Sequence, residues 1–539
     1  MPNPECAARL KQTGRDTMIQ SFDEIQTPDT LSTDLCIIGS GAAGITIANE
    51  FLKSGIDVIV LAGGNRRLKD ADQDLYRSTI VGLPHEGTHS GRVRMFGGTT
   101  TVWGGQALPL NDIDFERRSW VAHSGWPIER TELAPYYLRA KQALQLSQLD
   151  FDAPVWEMFG IEPPAFDPSC LVPVFSQWCP RPNFAVVHQK ALRESESVRV
   201  LLDAHAVELR SNSAASSVER VIIKSLSGKA GSIQAKHHVI CSGGIDTARL
   251  LLASRSVEPR GLGNKNDLVG RFFQDHVAVT FAQVQPRRRS HLQELYDQFY
   301  WNRSKLQPKI ALSAPRQREA QVLNAVSQVT FATPPASAIV AAKELLLAIK
   351  TKRSVKTGVL WNILKGADDV TRLAYRYWFQ NRAFSPKDGP IHLEAHCEQE
   401  PDPNSRVSLG SAGDALGMPR AQIDWRVTDL SKKTVAVLHE MIRSEFRRLD
   451  VGNVIALDVL SDDAAWCRKM SDVNHHIGTT RMADDCRHGV VNRHCQVHGV
   501  DNLHVGSSAV FPTGGYANPT LTTIALCLRL CDRLKAMLA

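Results

Sequence analysis

The chain has 539 residues, of which 22% are charged and 7% are aromatic, and its formal net charge is +7. This composition is typical of a globular protein with one large or two ordinary domains. Because the lysines and arginines are scattered, the positive charge is better explained by solubility than by nucleic-acid binding.

The cysteines and the N-terminal sequence bear on the compartment. The eleven cysteines include no C-x-x-C pair and no zinc-ligand spacing, and several lie in apolar runs where a free thiol packs as a small hydrophobe. They favour a reducing compartment and predict no metal site. The N-terminal sequence lacks the apolar core of a signal peptide, and no apolar stretch reaches the ~20 residues of a membrane span. We expect a cytoplasmic protein.

The first predicted element is a βαβ unit of about 30 residues. An apolar run over 35–38 suits a strand buried on both faces of a parallel sheet. A helical pattern follows over 45–54, with Gly55 as its stop, and a second buried strand follows over 58–61. This order predicts a Rossmann-like α/β domain.

The turn before that helix carries a complete G-x-G-x-x-G motif at Gly39, Gly41 and Gly44. The first glycine permits a tight turn, the second lets a pyrophosphate approach the backbone, and the third lets helix and strand pack closely. The helix N-terminus offers unpaired N–H groups to the phosphates. We predict that these glycines and Ala42 bind a dinucleotide; the alternative is a glycine-rich structural turn.

One expected residue is missing from this unit. Dinucleotide sites normally carry a carboxylate for the ribose near the end of the second strand, and here that position is Ala62. Either Asn65 or another group binds the ribose, or the adenosine end is held less tightly.

A second glycine-rich stretch runs from 97 to 106. Two glycine pairs, 97–98 and 104–105, bracket a threonine run, and such a backbone can lie against a flat ligand. A structural turn is the alternative. Together with the opening motif, and with Gly-Trp-Pro-Ile at 125–128 before a helix predicted over 133–146, this stretch resembles the glucose–methanol–choline (GMC) flavoprotein oxidoreductases.

The resemblance implies a Rossmann-like FAD-binding domain of the α/β class and an α+β substrate domain built on an antiparallel sheet. The FAD-binding domain would be discontinuous, comprising residues 30–150, 190–285 and 465–539. The substrate domain would comprise residues 151–189 and 286–464, with a helical insertion at about 336–379.

The resemblance also implies cofactor contacts outside the opening motif. A strand region over 200–209 would reach the adenine through the backbone of Val207, and the strand, glycine turn and helix over 238–252 would close the site from its second side. Pro519 would lie in the first turn of the last helix, where its missing N–H is tolerated. The cofactor-binding residues implied in this way are Gly98, Thr99, Val102, Val207, Gly243, Gly506, Ser507, Asn518, Pro519 and Thr520.

Some GMC members attach FAD covalently through a histidine in the second glycine-rich stretch. The corresponding position, just before Trp103, is Val102. A valine cannot form this link, so we predict non-covalent, dissociable FAD.

The C-terminal segment contains the predicted catalytic residues. Removing a hydride from a carbinol carbon requires a base beside the hydroxyl and a donor for the developing alkoxide. An imidazole can be that base near neutral pH. The resemblance assigns this role to His475 in an H-x-x-G turn, with His476 as the rival. The second family position is Asn518, which can hydrogen-bond the substrate oxygen but cannot take its proton.

Two other features are open to more than one interpretation. The Asp275-His276 pair invites a catalytic role, but we favour a structural one because the family places its catalytic pair elsewhere. Residues 336–379 are apolar and aromatic with a basic cluster. They could form a lid, an oligomer contact or a membrane-surface helix, and we favour the lid or the oligomer contact because core-facing stripes are commoner.

The sequence therefore predicts FAD-dependent oxidation of an alcohol group on a small molecule such as a sugar, a polyol or a natural product. Oxygen or another acceptor would take the electrons from the flavin. Two alternatives remain, a nicotinamide-dependent dehydrogenase and a non-catalytic flavin-binding relative. We expect neither nucleic-acid nor membrane binding, and the oligomeric state is not predicted.

Overall fold

The structure is a computed structural model that describes residues 18–26, 30–335, 337–351, 354 and 357–539. The described strands, in chain order, are β1 (Ile19–Ser21), β2 (Thr30–Ile38), β3 (Val58–Leu61), β4 (Thr79–Ile80), β5 (Gln106–Ala107), β6 (Leu171–Trp178), β7 (Val198–Leu202), β8 (His205–Ser211), β9 (Val218–Lys224), β10 (Ala230–Ile240), β11 (Val277–Pro286), β12 (Phe299–Trp301), β13 (Ser304–Leu312), β14 (Ala325–Phe331), β15 (Ile391–Cys397), β16 (Arg406–Gly413), β17 (Pro419–Asp424), β18 (Gly452–Ala456) and β19 (Leu503–Val505).

The described α-helices, in the same order, are α1 (Ala42–Glu50), α2 (Asp70–Asp74), α3 (Asp112–Phe115), α4 (Arg130–Ala143), α5 (Val155–Met158), α6 (Phe184–Arg193), α7 (Gly243–Ala253), α8 (Arg289–Tyr296), α9 (Ala314–Ala320), α10 (Ala338–Thr351), α11 (Thr357–Lys365), α12 (Ala367–Phe379), α13 (Asp429–Arg448), α14 (Asp463–Lys469) and α15 (Thr520–Leu538).

The first sheet contains the predicted βαβ unit. Its strand order is β1-β7-β3-β2-β10-β9-β8, with β19 beside β10. The strands from β1 to β10 in this order, and β19, pair in parallel, whereas β8 and β9 extend the sheet in antiparallel pairs. All of β3 and the last four residues of β2 are buried, as the apolar runs predict. The prediction of a Rossmann-like α/β domain is confirmed.

Helix α1 differs from its predicted range of 45–54. Gly41 has an extended backbone and caps the helix, so the helix begins at Ala42, inside the glycine motif. It ends at Glu50, and the hydroxyl of Ser54 donates to the carbonyl of Phe51 at 2.9 Å in the turn that follows. The first free N–H groups of the helix therefore belong to the glycine motif itself.

The second sheet is antiparallel. Its strand order is β18-β11-β15-β14-β13-β6-β5, with β12 beside β13. This confirms the predicted antiparallel sheet of an α+β unit. β11 belongs to it, although the sequence assigned residues up to 285 to the FAD-binding segments.

Strands β15 and β16 follow each other in the chain but do not form a hairpin. β15 pairs with β11 and β14, whereas β16 pairs with β17 in a small third sheet that also contains β4. The connection leaves the second sheet at Glu398, whose carboxylate accepts from the buried Arg118 guanidinium at 2.6 and 2.8 Å. This buried pair fixes the point where the chain passes from one sheet to the next.

Candidate active site

A cavity of about 740 Å³ opens at the carboxyl ends of β2, β3 and β10. Ile38, Leu61 and Cys241 mark those strand ends in its wall. Open α/β sheets bind ligands at this edge, and the volume lies in the range of small-molecule and cofactor sites.

Most of the residues that the sequence predicted for the cofactor line this one cavity. They come from segments far apart in the chain. They are Gly39, Gly41, Ala42, Gly98, Thr99, Val102, Gly243, Ser507, Asn518, Pro519 and Thr520, and the predicted base His475 lies in the same wall.

Three predicted cofactor residues lie outside the lining. A Cβ added to Gly44 would lie 1.9 Å from the carbonyl oxygen of Gly39, so this glycine serves the packing of α1 on the turn. Gly506 lies behind the wall, where an added Cβ would be 3.2 Å from Cys241 Sγ. Val207 is buried on β8, and its neighbours Ala204 and Ala206 reach the cavity instead.

The two glycine-rich turns form a cradle that fits a dinucleotide. A Cβ added to Gly41 would meet no atom within 4 Å, so this part of the turn faces open space. Gly98 has φ +54°, and a Cβ there would lie 3.0 Å from Cα of Gly41. The free N–H groups at the start of α1 face the same space. Phosphates can therefore contact the backbone here, and the residues present fit the pyrophosphate of FAD.

The adenosine end contains an arginine where the usual carboxylate is missing. Asn65 does not line the cavity, because its amide donates to Asp203 and its oxygen accepts from a neighbouring backbone N–H at 2.8 Å. Arg94 does line the cavity. A Cβ added to Gly63, one residue after Ala62, would lie 3.3 Å from Arg94 Nε. Arg94 could not be predicted from the sequence, because its approach to Gly63 depends on how two distant segments pack.

The predicted base and its predicted partner are in contact. Nδ2 of Asn518 lies 3.2 Å from Nε2 of His475, and both residues are in the cavity wall. The other ring nitrogen of His475, Nδ1, lies 2.7 Å from Nδ1 of His276. His276 is buried, and its Nε2 lies 3.3 Å from the carbonyl oxygen of Gly514.

This chain of contacts assigns the protons of both imidazoles. The Gly514 carbonyl can only accept, so Nε2 of His276 carries the proton and Nδ1 of neutral His276 is an acceptor. His475 must then donate from Nδ1, which leaves the lone pair on its Nε2 toward the cavity. The amide of Asn518 donates to that lone pair, so each of the three contacts has one donor and one acceptor.

Electrostatics keep His475 neutral. Burial, followed by the neighbouring His276, holds the pKa of His475 well below its ordinary value. Behind it, Asp275 accepts from the backbone N–H groups of His276 at 2.7 Å, of Val473 at 3.2 Å and of His475 at 3.0 Å. Asp275 therefore fixes the loop that carries His475, which agrees with a structural role for the Asp275-His276 pair.

The rival His476 has different surroundings. Its ring is stacked with that of Phe273 at a centroid distance of 5.9 Å and lies 5.3 Å from that of His85. Burial lowers the pKa of His476 to about 3. Its Nε2 lies 3.9 Å from Asp275 and has no hydrogen-bond partner among the described residues.

His85, Asp275 and His476 place three ligating atoms within 4.8 Å of one another, a spacing that could hold a metal ion. However, the Asp275 oxygens already accept the backbone N–H of His475, in the loop that carries this residue, and His85 Nε2 lies 3.2 Å from Asp275 Oδ2. We interpret the group as a support for that loop, in which Asp275 makes the hydrogen bonds and the two imidazoles pack around it.

The second sheet contributes a residue that the sequence analysis missed. On β15 the residues at 391, 393, 395 and 397 are buried in the core, so those between them face the other side. His396 is one of these and lines the cavity near His475. Its Nε2 lies 3.4 Å from Glu394, and Glu394 accepts from Gln328 at 3.1 Å. The period-2 alternation of β15 was the available signal.

Comparisons with known proteins agree with this architecture. Residues 401–527 match the family profile described as GMC oxidoreductase. The fructose dehydrogenase large subunit of Gluconobacter japonicus is 21% identical over 94% of this chain and 98% of its own length. The paromamine 6'-oxidase of Streptomyces fradiae is 23% identical over 92% of this chain and 90% of its own. A solved FAD-dependent oxidoreductase from Chaetomium thermophilum covers 94% of this chain and 99% of its own, with a TM-score of 0.57 and 16% identity.

The profile match over residues 401–527 and the relatives that align along nearly the whole chain support the GMC oxidoreductase family for this protein. Members of this family are enzymes that act on CH–OH groups of alcohols or sugars, and membership implies a flavin cofactor, a small-molecule substrate and an electron acceptor. Among the residues that the structure covers, no helix is long and apolar enough to cross a membrane.

Proposed function

We propose that this GMC oxidoreductase oxidises an alcohol group of a hydroxyl-rich small molecule, with His475 as the base and non-covalently bound FAD as the cofactor. The observation that carries the proposal is the contact between Asn518 Nδ2 and His475 Nε2 inside the cavity. A donor and a neutral imidazole lone pair lie side by side there, as alcohol activation requires.

The proposed roles follow from the proton assignment. The substrate hydroxyl would replace the contact between Asn518 and His475. Its oxygen would accept a hydrogen bond from the Asn518 amide, and its proton would pass to His475 Nε2. Bound FAD supplies the hydride acceptor. Helix α15 begins at the cavity wall, and the positive end of the helix dipole favours negative charge there.

The wall contributed by the second sheet supports a hydroxyl-rich substrate. Gln106, Trp178 and His396 line the cavity from that side. The amide of Gln106 donates to Ser176 at 2.7 Å and keeps its oxygen as an acceptor. Amide, indole and imidazole groups suit several hydroxyls of a sugar, a polyol or a glycosylated natural product. Fructose and paromamine, the substrates named in two of the relatives, belong to this class.

Anaerobic flavin reduction tests the catalytic assignment. Replacing His475 by Ala should slow the reduction step by about 10²–10⁴, the usual range for a lost general base. Asn518→Ala should cost less, because it removes a donor but leaves the base in place. His476→Ala should be milder than His475→Ala.

Two outcomes would change the assignment. If His476→Ala were the slowest variant, the base would be one residue further along; if neither histidine mattered, the proposed mechanism would be wrong. Equal flavin content in all variants, measured from the absorption spectrum, is the required control. A panel of sugars, polyols and simple aliphatic alcohols in the same assay tests the substrate class.

The same preparation separates the alternatives. A nicotinamide-dependent dehydrogenase would be colourless as purified and would need an added nicotinamide. A non-catalytic relative would be yellow but would not bleach with any alcohol. The intact pair of His475 and Asn518 supports the catalytic proposal.

A further inference from the structure

The helical insertion exposes apolar side chains that no other described part of the chain covers. Helix α12 is 13 residues long and has no buried residue. Tyr375, Trp378 and Phe379 are 54%, 73% and 75% exposed. Their i, i+3, i+4 spacing puts them on one face of the helix. Exposed apolar faces of this kind mark interaction sites.

Helix α11 repeats the pattern. Leu360, Trp361 and Leu364 are 51%, 59% and 69% exposed, and their i, i+1, i+4 spacing puts them on one side of the helix. Only Val359 is buried in the part of α11 that the structure describes. We call these six residues the aromatic face: Leu360, Trp361, Leu364, Tyr375, Trp378 and Phe379.

Polar contacts hold the insertion on the second sheet from its other side. Arg376 donates to the buried Asp297 at 2.9 Å, and the rings of Tyr377 and Tyr300 meet edge to face at 5.2 Å. These contacts fix α12 without using the aromatic face, so that face is left outward rather than folded over a core.

The charge of the insertion decides between possible partners. Residues 338–379 contain eight lysines and arginines and three acidic residues. This segment therefore carries +5 of the net +7 of the chain. A symmetric dimer through this face would bring two such patches together, and like charges oppose that contact. An anionic surface would be attracted instead.

We propose that the aromatic face docks on an anionic lipid surface. Tryptophan and tyrosine prefer the headgroup region, where one end of the ring system is apolar and the other is hydrated. The basic side chains of the same segment supply the attraction to anionic lipids. The apolar pattern of residues 336–379 favoured a lid or a subunit contact because apolar stripes usually face a core, but none of the residues of α12 is buried.

Sedimentation of the holoenzyme with vesicles tests this proposal. Vesicles of phosphatidylglycerol and phosphatidylcholine should sediment the protein, added salt should weaken this binding, and vesicles of phosphatidylcholine alone should bind far less. Replacing Trp361, Trp378 and Phe379 together by Ser should lower partitioning at least about tenfold, because each removes a large apolar side chain. Should the triple variant misfold, Trp378→Ser and Phe379→Ser singly give the same test at highly exposed positions.

Matched controls come from exposed apolar residues elsewhere. Leu138 and Val186 are 59% and 70% exposed on α4 and α6, and Leu138→Ser and Val186→Ser should bind vesicles as the unmodified protein does. Absence of binding to anionic vesicles, or equal binding by the triple variant, would overturn the proposal. So would a concentration-dependent dimer that the triple variant abolishes, which would assign the face to a second copy.

Discussion

At the scale of single residues, the candidate site depends on which ring nitrogen of His475 carries a proton. An imidazole beside a substrate is a base only if the nitrogen that faces the substrate is unprotonated. Here the hydrogen bond to the Gly514 carbonyl keeps the proton of His276 on Nε2, and the contact with His276 in turn keeps the proton of His475 on Nδ1. His276 is therefore a positioning residue, which acts on the reaction through His475 without lining the cavity.

This role predicts different effects for two replacements of His276. Gln can accept from His475 Nδ1–H and donate to Gly514, so His276→Gln should retain most of the flavin-reduction rate. Leu cannot accept, so His475 is free to adopt the other tautomer, and His276→Leu should lose about 10²-fold, the lower end of the range for a lost base. The measurement is the limiting rate of anaerobic flavin reduction, with half-saturating substrate concentration as a second readout.

The pH profile distinguishes positioning from a merely structural role. The pKa of His475 lies well below its ordinary value of 6.5. The imidazole should therefore be neutral at pH 6.5 and above. The rate of the unmodified enzyme and of His276→Gln should be flat above that pH and should fall as the pH drops through the lowered pKa. The proposed role of His276 would be refuted if His276→Leu and His276→Gln were equally slow. It would also be refuted if His276→Leu raised only the half-saturating substrate concentration.

At the scale of elements, the two glycine-rich turns could be predicted from the sequence because their function is local. Gly39, Gly41 and Gly98 act through backbone that a side chain would obstruct, and the apolar runs around them identify buried strands directly. The ends of α1 were less predictable, since helix capping by Gly41 is set by backbone angles rather than by the apolar pattern.

Contacts between distant segments could not be predicted from the sequence. His276 and His475 are 199 positions apart, and no spacing rule relates them. Arg94 reaches Gly63 only because residues 94–95 pack against the glycine pair that follows β3. His396 faces the cavity only because the other face of β15 is in the core. The family resemblance named His475 and Asn518, but the hydrogen-bond partner that fixes His475 came from the fold.

The adenosine end provides a prediction at this scale. If Arg94 donates to the ribose in place of the missing carboxylate, Arg94→Met should weaken FAD binding about 10- to 100-fold, the value of a hydrogen bond from a charged group. Quenching of flavin fluorescence during titration of the apoprotein measures this constant. Lys69→Met removes a half-exposed cation that pairs with Asp203 outside the cavity, and it should leave the constant unchanged. Equal effects of the two variants, or none for Arg94→Met, would exclude Arg94 as the ribose partner.

At the scale of the whole molecule, the cavity joins parts of the chain that are far apart in the sequence. Its wall is formed by the opening βαβ unit, the second glycine-rich stretch, the start of α7, the loop that carries His475 and the start of α15. A ligand that fills it contacts all of these at once. Because such a ligand binds the folded chain and not the unfolded one, it should stabilise the entire fold.

Removal of FAD tests both the attachment and this coupling. Val102, which the resemblance places where some family members carry their covalent link, is 64% exposed, and its side chain cannot bond to a flavin. We expect acid or heat precipitation to leave all of the yellow colour in the supernatant. Apoprotein prepared under milder conditions should melt at a lower temperature than the holoenzyme. Added FAD should restore the melting temperature, since a ligand at 100 times its dissociation constant contributes about 2.7 kcal/mol to stability.

Colour that remained on the denatured polypeptide would mean a covalent link at a position other than Val102. A melting temperature that did not respond to FAD would mean that the cofactor does not bridge these segments.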